Sequence, residues 1–198
     1  MFLRRDGAFA NSGFLGCKLG PMSILIRAAC QADSGGVVDV IHSVFDEYSF
    51  TWEPEGYHAD LYDLEAHYDG VSDLFFVAVL DERIVGTAAL ELFDPIPVET
   101  GQIGLCEGFV RVGGCDCSLE RLYVHPDARK RGVGQALMKH AVDLARAERR
   151  SQMEIWSDKR YVDAHRLYGR FGAEVVGDRI CHDPDQSPEW GLKLRLAG

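Results

Sequence analysis

The sequence has no long hydrophobic run. Its longest unbroken apolar stretch, residues 74–80, holds seven residues, far short of the ~20 that a membrane-spanning helix needs. Positive charge is scarce: 21 Lys and Arg stand against 31 Asp and Glu, giving a net charge of -10. A phosphate backbone repels such a chain, which argues against nucleic acid as a partner and in favour of cationic ones. Paired cysteine motifs are missing. Of the six cysteines, Cys115 and Cys117 are separated by a single residue and have no matching second pair. The spacing of a zinc site is therefore absent, and no metal is expected. A chain this long and this apolar does not depend on disulfides. Free thiols in a reducing cytosol are the simpler reading, which points to a cytoplasmic protein. Internal repeats and low-complexity segments are also lacking.

What remains is an ordinary globular composition, 46% hydrophobic and 26% charged over 198 residues, enough for one domain with its own core. The first 21 residues stand apart. Arg4 and Arg5 make a basic start, but Asn11, Ser12, Lys18 and several glycines interrupt the apolar residues after it, so no signal-peptide core forms. The expectation is a flexible tail over residues 1–21, or a start codon assigned too early, with one domain over residues 22–198.

Residues 23–28 alternate and predict a strand. Asp33 and Ser34 are good N-caps for a helix carrying Val37, Val40, Ile41, Val44, Phe45 and Tyr48 at helical spacing. A second helix is predicted over residues 55–68, with Tyr57, Leu61, Leu64 and Tyr68 on one side. Strands at 74–80 and 83–92 flank Asp81-Glu82, a hairpin turn. Residues 93–114, with two prolines and five glycines, read equally as an extended hairpin or as an irregular insertion. Another strand at 117–124 stops at His125-Pro126. A helix over 132–149, a strand at 152–157, a short helix at 163–171 and strands at 173–177 and 190–196 complete the chain. The order β-α-α-β-β-β-α-β-α-β-β predicts a mixed α/β fold around one sheet.

The chemistry concentrates in the run from Leu119 to Gly134: Leu-Glu-Arg-Leu-Tyr-Val-His-Pro-Asp-Ala-Arg-Lys-Arg-Gly-Val-Gly. A strand passes through a turn into a glycine-bearing helix start. Glycines at 132 and 134 let backbone N–H groups approach a ligand. A helix N-terminus offers unpaired donors and a partial positive charge, an anion site suited to a pyrophosphate. Arg129, Lys130 and Arg131 add three positive charges. The same residues also describe a helix start with a solvated basic face, and two glycines do not decide between the two.

Arg129-x-x-Gly132-x-Gly134, after a strand ending Leu-Tyr-Val and before an amphipathic helix, resembles the acetyl-CoA-binding motif of the GNAT superfamily of N-acetyltransferases. The run from Ala164 to Ala173, with Leu167-Tyr168 and then Gly172, resembles the family's next motif. The resemblance covers about 175 residues. It implies a single central, mostly antiparallel sheet with a splayed parallel pair and helices on both faces, and acetyl-CoA as co-substrate. The backbone of Leu122, Tyr123 and Val124 would pair with the pantetheine arm. Arg129, Lys130, Arg131, Gly132, Val133, Gly134 and Gln135 would hold the pyrophosphate. The Val124 N–H would stabilise the oxyanion. Glu120, placed by strand alternation on the face of Leu122 and Val124, resembles the base of polyamine-type members, with Ser118 beside it to order a water. Tyr168 would protonate the departing thiolate. Each also has a plainer reading, a surface glutamate and a packed aromatic. Tyr161 stands where many members carry an Asn that contacts the cofactor, and Lys130 where many carry Gly.

Residues 46–73 hold nine acids and no Lys or Arg, interleaved with Tyr48, Phe50, Trp52, Tyr57, Tyr62 and Tyr68. In the family this region flanks the acceptor cleft. An acidic, aromatic-edged cleft attracts a cationic amine, and Asp183, Asp185 and Glu189 extend the same field. His140 and His165 read as structural or exposed. The implied activity is transfer of an acetyl group directly to a primary amine: a small cationic amine, a polyamine or a basic peptide. Competing readings are a silent acyl-CoA-binding regulatory domain and a metal-dependent module around Cys106, Cys115 and Cys117. The resemblance leaves room for a homodimer.

Overall fold

A computed structural model describes residues 23–196, so the expected tail over residues 1–21 lies outside the described residues. Seven strands form the main sheet in the order β1-β2-β3-β6-β7-β9-β8: β1 (Leu25–Ala28), β2 (Asp73–Leu80), β3 (Arg83–Leu92), β6 (Cys117–Val124), β7 (Gln152–Asp158), β8 (Glu174–Ile180) and β9 (Pro188–Arg195). All neighbours are antiparallel except β6 and β7. The structure decides the open segment 93–114 as a hairpin, β4 (Ile103–Cys106) with β5 (Phe109–Val112). A buried carboxylate anchors it. Glu154 of β7 accepts from Arg111 Nε at 2.5 Å and from the Val112 N–H at 2.7 Å.

Helix α1 (Ser34–Tyr48) buries Val37, Val40, Ile41, Val44 and Phe45 as the periodicity predicts. Its cap differs. The Asp33 carboxylate makes no cap bond to α1; it accepts from Arg27 at 2.6 and 2.8 Å and from the Cys30 N–H at 2.9 Å. Those contacts hold the carboxyl down to about 2. The single helix expected over residues 55–68 is not formed. A 3-10 turn at Ala59–Leu61 and the one-turn α2 (Leu64–His67) stand in its place. Asp63 accepts from the Ala66 N–H and starts α2 afresh, which breaks the run.

Helices α3 (Val133–Ala147) and α4 (Val162–Arg170) complete the chain. The larger core joins α3 to one sheet face through Leu137, Met138, Ala88, Leu90, Met153 and Ile155. A second core packs α1 against the other face through Ile41, Phe45, Phe75, Val77 and Ala89. At ~25 cal/mol per Å² of apolar surface, each buried leucine or phenylalanine contributes about 2 kcal/mol.

Candidate functional site

Two local departures from a regular sheet build the site, and both fall in β6. First, β6 and β7 pair only from Cys117 to Leu119, opposite Met153 to Ile155. β7 goes on to Asp158 beside β9. Beyond Leu119 the two parallel strands therefore part, and the edge of β6 from Glu120 to Val124 faces a gap. Second, β6 carries a bulge. Ala89 stands opposite Glu120 and Thr87 opposite Tyr123, so Ala88 alone faces Arg121 and Leu122. Arg121 takes φ 49°, in the left-handed region, and its carbonyl accepts the Thr87 hydroxyl at 2.8 Å.

The bulge corrects the expected placement of Glu120. Leu122 and Val124 pack on the α3 core, whereas Ala89 and Tyr123 belong to the α1 side. Directly opposed residues share a face, so Glu120 lies on the α1 side, away from Leu122 and Val124. One extra residue inverts the alternation. The bulge leaves the edge usable. The His125 N–H bonds to the Val85 carbonyl, so the next pair, Gly86 and Val124, is a non-hydrogen-bonded one. The Val124 N–H thus points away from β3, into the gap.

A cleft of about 490 Å³ lies on one side of the gap, between β6, the start of α3 and α4. Leu122, Tyr123, Val124, Arg129, Lys130, Gly132, Val133, Gly134 and Gln135 line it, so the structure gathers nearly all of the residues expected at a phosphate-bearing donor. Arg131 is not among that lining; its guanidinium lies 3.8 Å from Asp81. Gly132 has φ 86°, a conformation that favours glycine. Gly134 lines the cleft with bare backbone, and a Cβ there would meet Leu167 at 3.4 Å and Val124 at 3.5 Å, ordinary contact distances. Arg129 is tied to Glu47 of α1 at 2.8 Å. Arg166 and Arg170 of α4 add positive charge to the opposite wall, against Asp163, the one acid of the lining among the described residues. Sequence reading misses both, since their helix carries no phosphate motif. The cleft fits an elongated ligand with an anionic head and an amide-bearing arm.

On the other side is a cleft of about 380 Å³. Its lining includes the carboxylates Asp60, Asp73, Glu91, Glu120, Asp158, Asp183 and Glu189, and the aromatic rings of Phe45, Phe50, Tyr57, Tyr68 and Trp156. Among the described residues it holds one cation, Arg121. Of the nine acids in residues 46–73, only Asp60 and Asp73 reach it. The others lie elsewhere; among them Glu47 holds Arg129, Asp63 starts α2 and Asp69 ties a turn. Trp52 stacks on His58 at 3.8 Å and Tyr62 is an exposed ring. Arg121 is spent within the wall, bonded to Asp60 at 2.8 and 3.1 Å and to the Tyr57 carbonyl at 2.9 Å. Asp183 and Glu189 extend the acidic lining as expected, and Glu189 is paired with Arg179 at 2.7 Å. Asp185 is not in that lining; it bonds Thr51 instead. Glu91 escapes sequence reading, because it lies in a strand outside the acidic run.

Glu120 accepts the Ser118 hydroxyl at 2.5 Å. Burial pushes its carboxyl above 4.5, against the pull of that bond and of Arg179 and Arg121. Glu91 and Glu189 are raised by burial too. The phenols of Tyr123 and Tyr168 are driven well above 10 by burial and stay neutral. Leu122, Tyr123, Tyr161 and Tyr168 line both clefts and mark their junction. Tyr161 stands edge-on to Tyr48 at 4.9 Å and to Phe50 at 5.9 Å, an aromatic wedge in place of an amide. Among the described residues, no group of three or more His, Cys, Asp or Glu is arranged to hold a metal ion.

The fold that carries these clefts is shared with known proteins. The Acetyltransferase (GNAT) family matches residues 38–173. The chain therefore belongs to the GNAT acetyltransferases, acyltransferases that draw on acetyl-CoA. Its fold is that of a GNAT acetyltransferase from Staphylococcus aureus Mu50, with a TM-score of 0.66, 15% identity, and coverage of 88% of this chain and 100% of that one. The Salmonella typhimurium protein yncA, solved with its cofactor acetyl-CoA, superposes with a TM-score of 0.63 at 17% identity, covering 88% and 94%. The ribosomal-protein-S18-alanine N-acetyltransferase of Escherichia coli gives 0.59 at 14% identity, covering 89% and 96%. No curated protein sequence matches the chain.

Proposed function

We propose that the protein moves an acetyl group from acetyl-CoA directly to a primary amine, and that the acceptor is a small cationic amine, a polyamine or a basic peptide. The observation behind this reading is the gap between β6 and β7, where a basic cleft and a carboxylate-lined cleft share four residues. Bound acetyl-CoA supplies an acyl thioester already activated for attack. The free edge of β6 at Leu122, Tyr123 and Val124 offers main-chain partners to the donor's amide-bearing arm. Arg129, Lys130, Gly132, Val133, Gly134 and Gln135, at the turn into α3, receive its phosphates. The Val124 N–H donates to the carbonyl oxygen as charge builds there.

An ammonium has no lone pair, so transfer needs a base, and the departing thiolate needs a proton. Glu120 accepts the amine's proton, directly or through a water held by Ser118. Burial that raises its carboxyl makes it a stronger base. Tyr168, a neutral phenol at the junction, returns a proton to sulfur. The carboxylates and rings of the second cleft favour a cationic acceptor. No cysteine lines either cleft among the described residues, which supports direct transfer over a covalent enzyme intermediate. The test is a mass-spectrometric screen of polyamines, amino acids, aminoglycosides and peptides with acetyl-CoA. A gain of one acetyl group on an amine is expected. Acetyl-CoA binding with no acetylated product would favour a silent binding domain instead.

A further inference from the structure

Two segments remote in sequence meet beside the acceptor cleft. One leads from α1 to the 3-10 turn and gives Phe50 and Tyr57 to the cleft wall. The other joins β8 to β9 and gives Asp183 and Ser187. They are tied at the surface. The Asp185 carboxylate accepts the Thr51 backbone N–H through Oδ2 and the Thr51 hydroxyl through Oδ1, both at 2.8 Å. Thr51 and Asp185 are both exposed. Arg160 braces the same junction, its guanidinium 3.9 Å from the centre of the Phe50 ring and donating to Ser187 Oγ at 3.0 Å. Lower down, the Tyr57 hydroxyl lies 3.8 Å from Cys181 Sγ.

We propose that the Thr51–Asp185 contact is a latch that closes this side of the acceptor cleft and selects a small amine over an amine carried on a peptide. The inference rests on the acetyl-transfer reading above and chooses among its acceptors. A peptide amine brings a backbone with it, and that backbone needs an open groove leading away from the reacting centre. The latch joins the two segments that flank the cleft, and so ties shut the space between them through which such a groove would pass. The space left, about 380 Å³, is of the size that takes a small molecule. The latch is also easy to open. Both partners are exposed, so water replaces the lost bonds and no buried group is stranded. Local opening admits the amine, and reclosing shuts out bulk solvent. Because one carboxylate makes both bonds, removing it frees both at once.

The test gives the full-length protein acetyl-CoA and two acceptors: 1,4-diaminobutane, and a basic pentapeptide with a blocked N-terminus and one central lysine. kcat/KM is measured by mass spectrometry, alongside thermal unfolding. The native protein is expected to prefer the diamine by roughly 100-fold. Asp185→Ala should cut that preference at least about ten-fold, through a higher KM for the diamine and new turnover of the peptide. Asp185→Asn keeps an acceptor for the N–H and should fall between. Thr51→Val, which removes only the hydroxyl, serves as an independent variant and should do the same. Equal use of both acceptors by the native protein, or an unchanged preference in Asp185→Ala and Thr51→Val, overturns the latch and leaves acetyl transfer standing. No product from either acceptor while acetyl-CoA binds overturns acetyl transfer, and the latch with it.

Discussion

His58 has no exposed surface, and its Nδ1 accepts the Glu53 N–H at 3.2 Å. The ring proton therefore sits on Nε2, which meets no hydrogen-bond partner among the described residues. Burial, helped by the Arg121 guanidinium, pushes the imidazole down to about 4 from 6.5. A lowered histidine penalises the folded state in acid. Between pH 6.5 and about 4 the unfolded chain binds a proton that the native ring refuses, so this ring's contribution to stability falls across that window as pH drops. Thermal unfolding from pH 7 to 4.5 should show the native protein losing stability faster than His58→Phe; parallel curves would place the loss on other groups. Glu120 and Tyr168 make a second case. A base works deprotonated, so the rate should climb with pH through the Glu120 carboxyl, which burial holds above 4.5. Glu120→Gln is expected to lower kcat about 100-fold and erase that acid limb, with acetyl-CoA affinity unchanged. Tyr168→Phe should lower kcat about ten-fold while keeping the limb. A surviving limb in Glu120→Gln would assign the base elsewhere.

Among elements, β6 separates what sequence reveals from what it hides. Its ends and its motif are legible, because a Leu-Tyr-Val strand, His-Pro and a glycine-led helix start are local signals. Its bulge is not. Arg121 carries no mark of a left-handed backbone, and only the pairing with β3 shows that Ala88 faces two residues. Alternation therefore misplaces Glu120 by one face. The 55–68 segment fails for a related reason: helical spacing is present, but Asp63 restarts the chain as a one-turn helix. Segment 93–114 stays open in the sequence because its register is fixed from outside, by Glu154 on β7. The start of α3 yields the sharpest test. A Cβ at Gly134 would meet Leu167 and Val124 only at ordinary contact distance, so the fold tolerates a side chain there while the cleft does not. Gly134→Leu should abolish acetyl-CoA binding by calorimetry and shift Tm by no more than a few degrees. Retained binding would remove the turn from the donor site.

Across the whole molecule, charge is sorted rather than uniform. A chain of net charge -10 gathers Arg129, Lys130, Arg166 and Arg170 on one cleft and seven carboxylates on the other. Composition signals the excess of acid. It cannot show that most acids of residues 46–73 lie outside the cleft and that Glu91, Glu120 and Glu189 come from strands. Asp60, Asp158 and Glu189 are paired with arginines; the remaining carboxylates give the cleft a field that salt screens over ~10 Å at 0.1 M. A diamine should therefore be acetylated in preference to a neutral-bodied amine of equal length, and the preference should shrink as salt rises from ~10 to ~500 mM. A ratio indifferent to salt would deny the field a role. The overall fold is the most legible level, since element order and two motifs suffice to specify it, and the three solved structures above keep it at 14 to 17% identity. The gap beside β6 bears on that tolerance. A strand edge is read through N–H and C=O groups, which every residue except proline carries alike. At positions 122–124 mutation can therefore change the side chains without altering the main-chain groups that a ligand in the gap pairs with, and proline at 124 removes one of those donors.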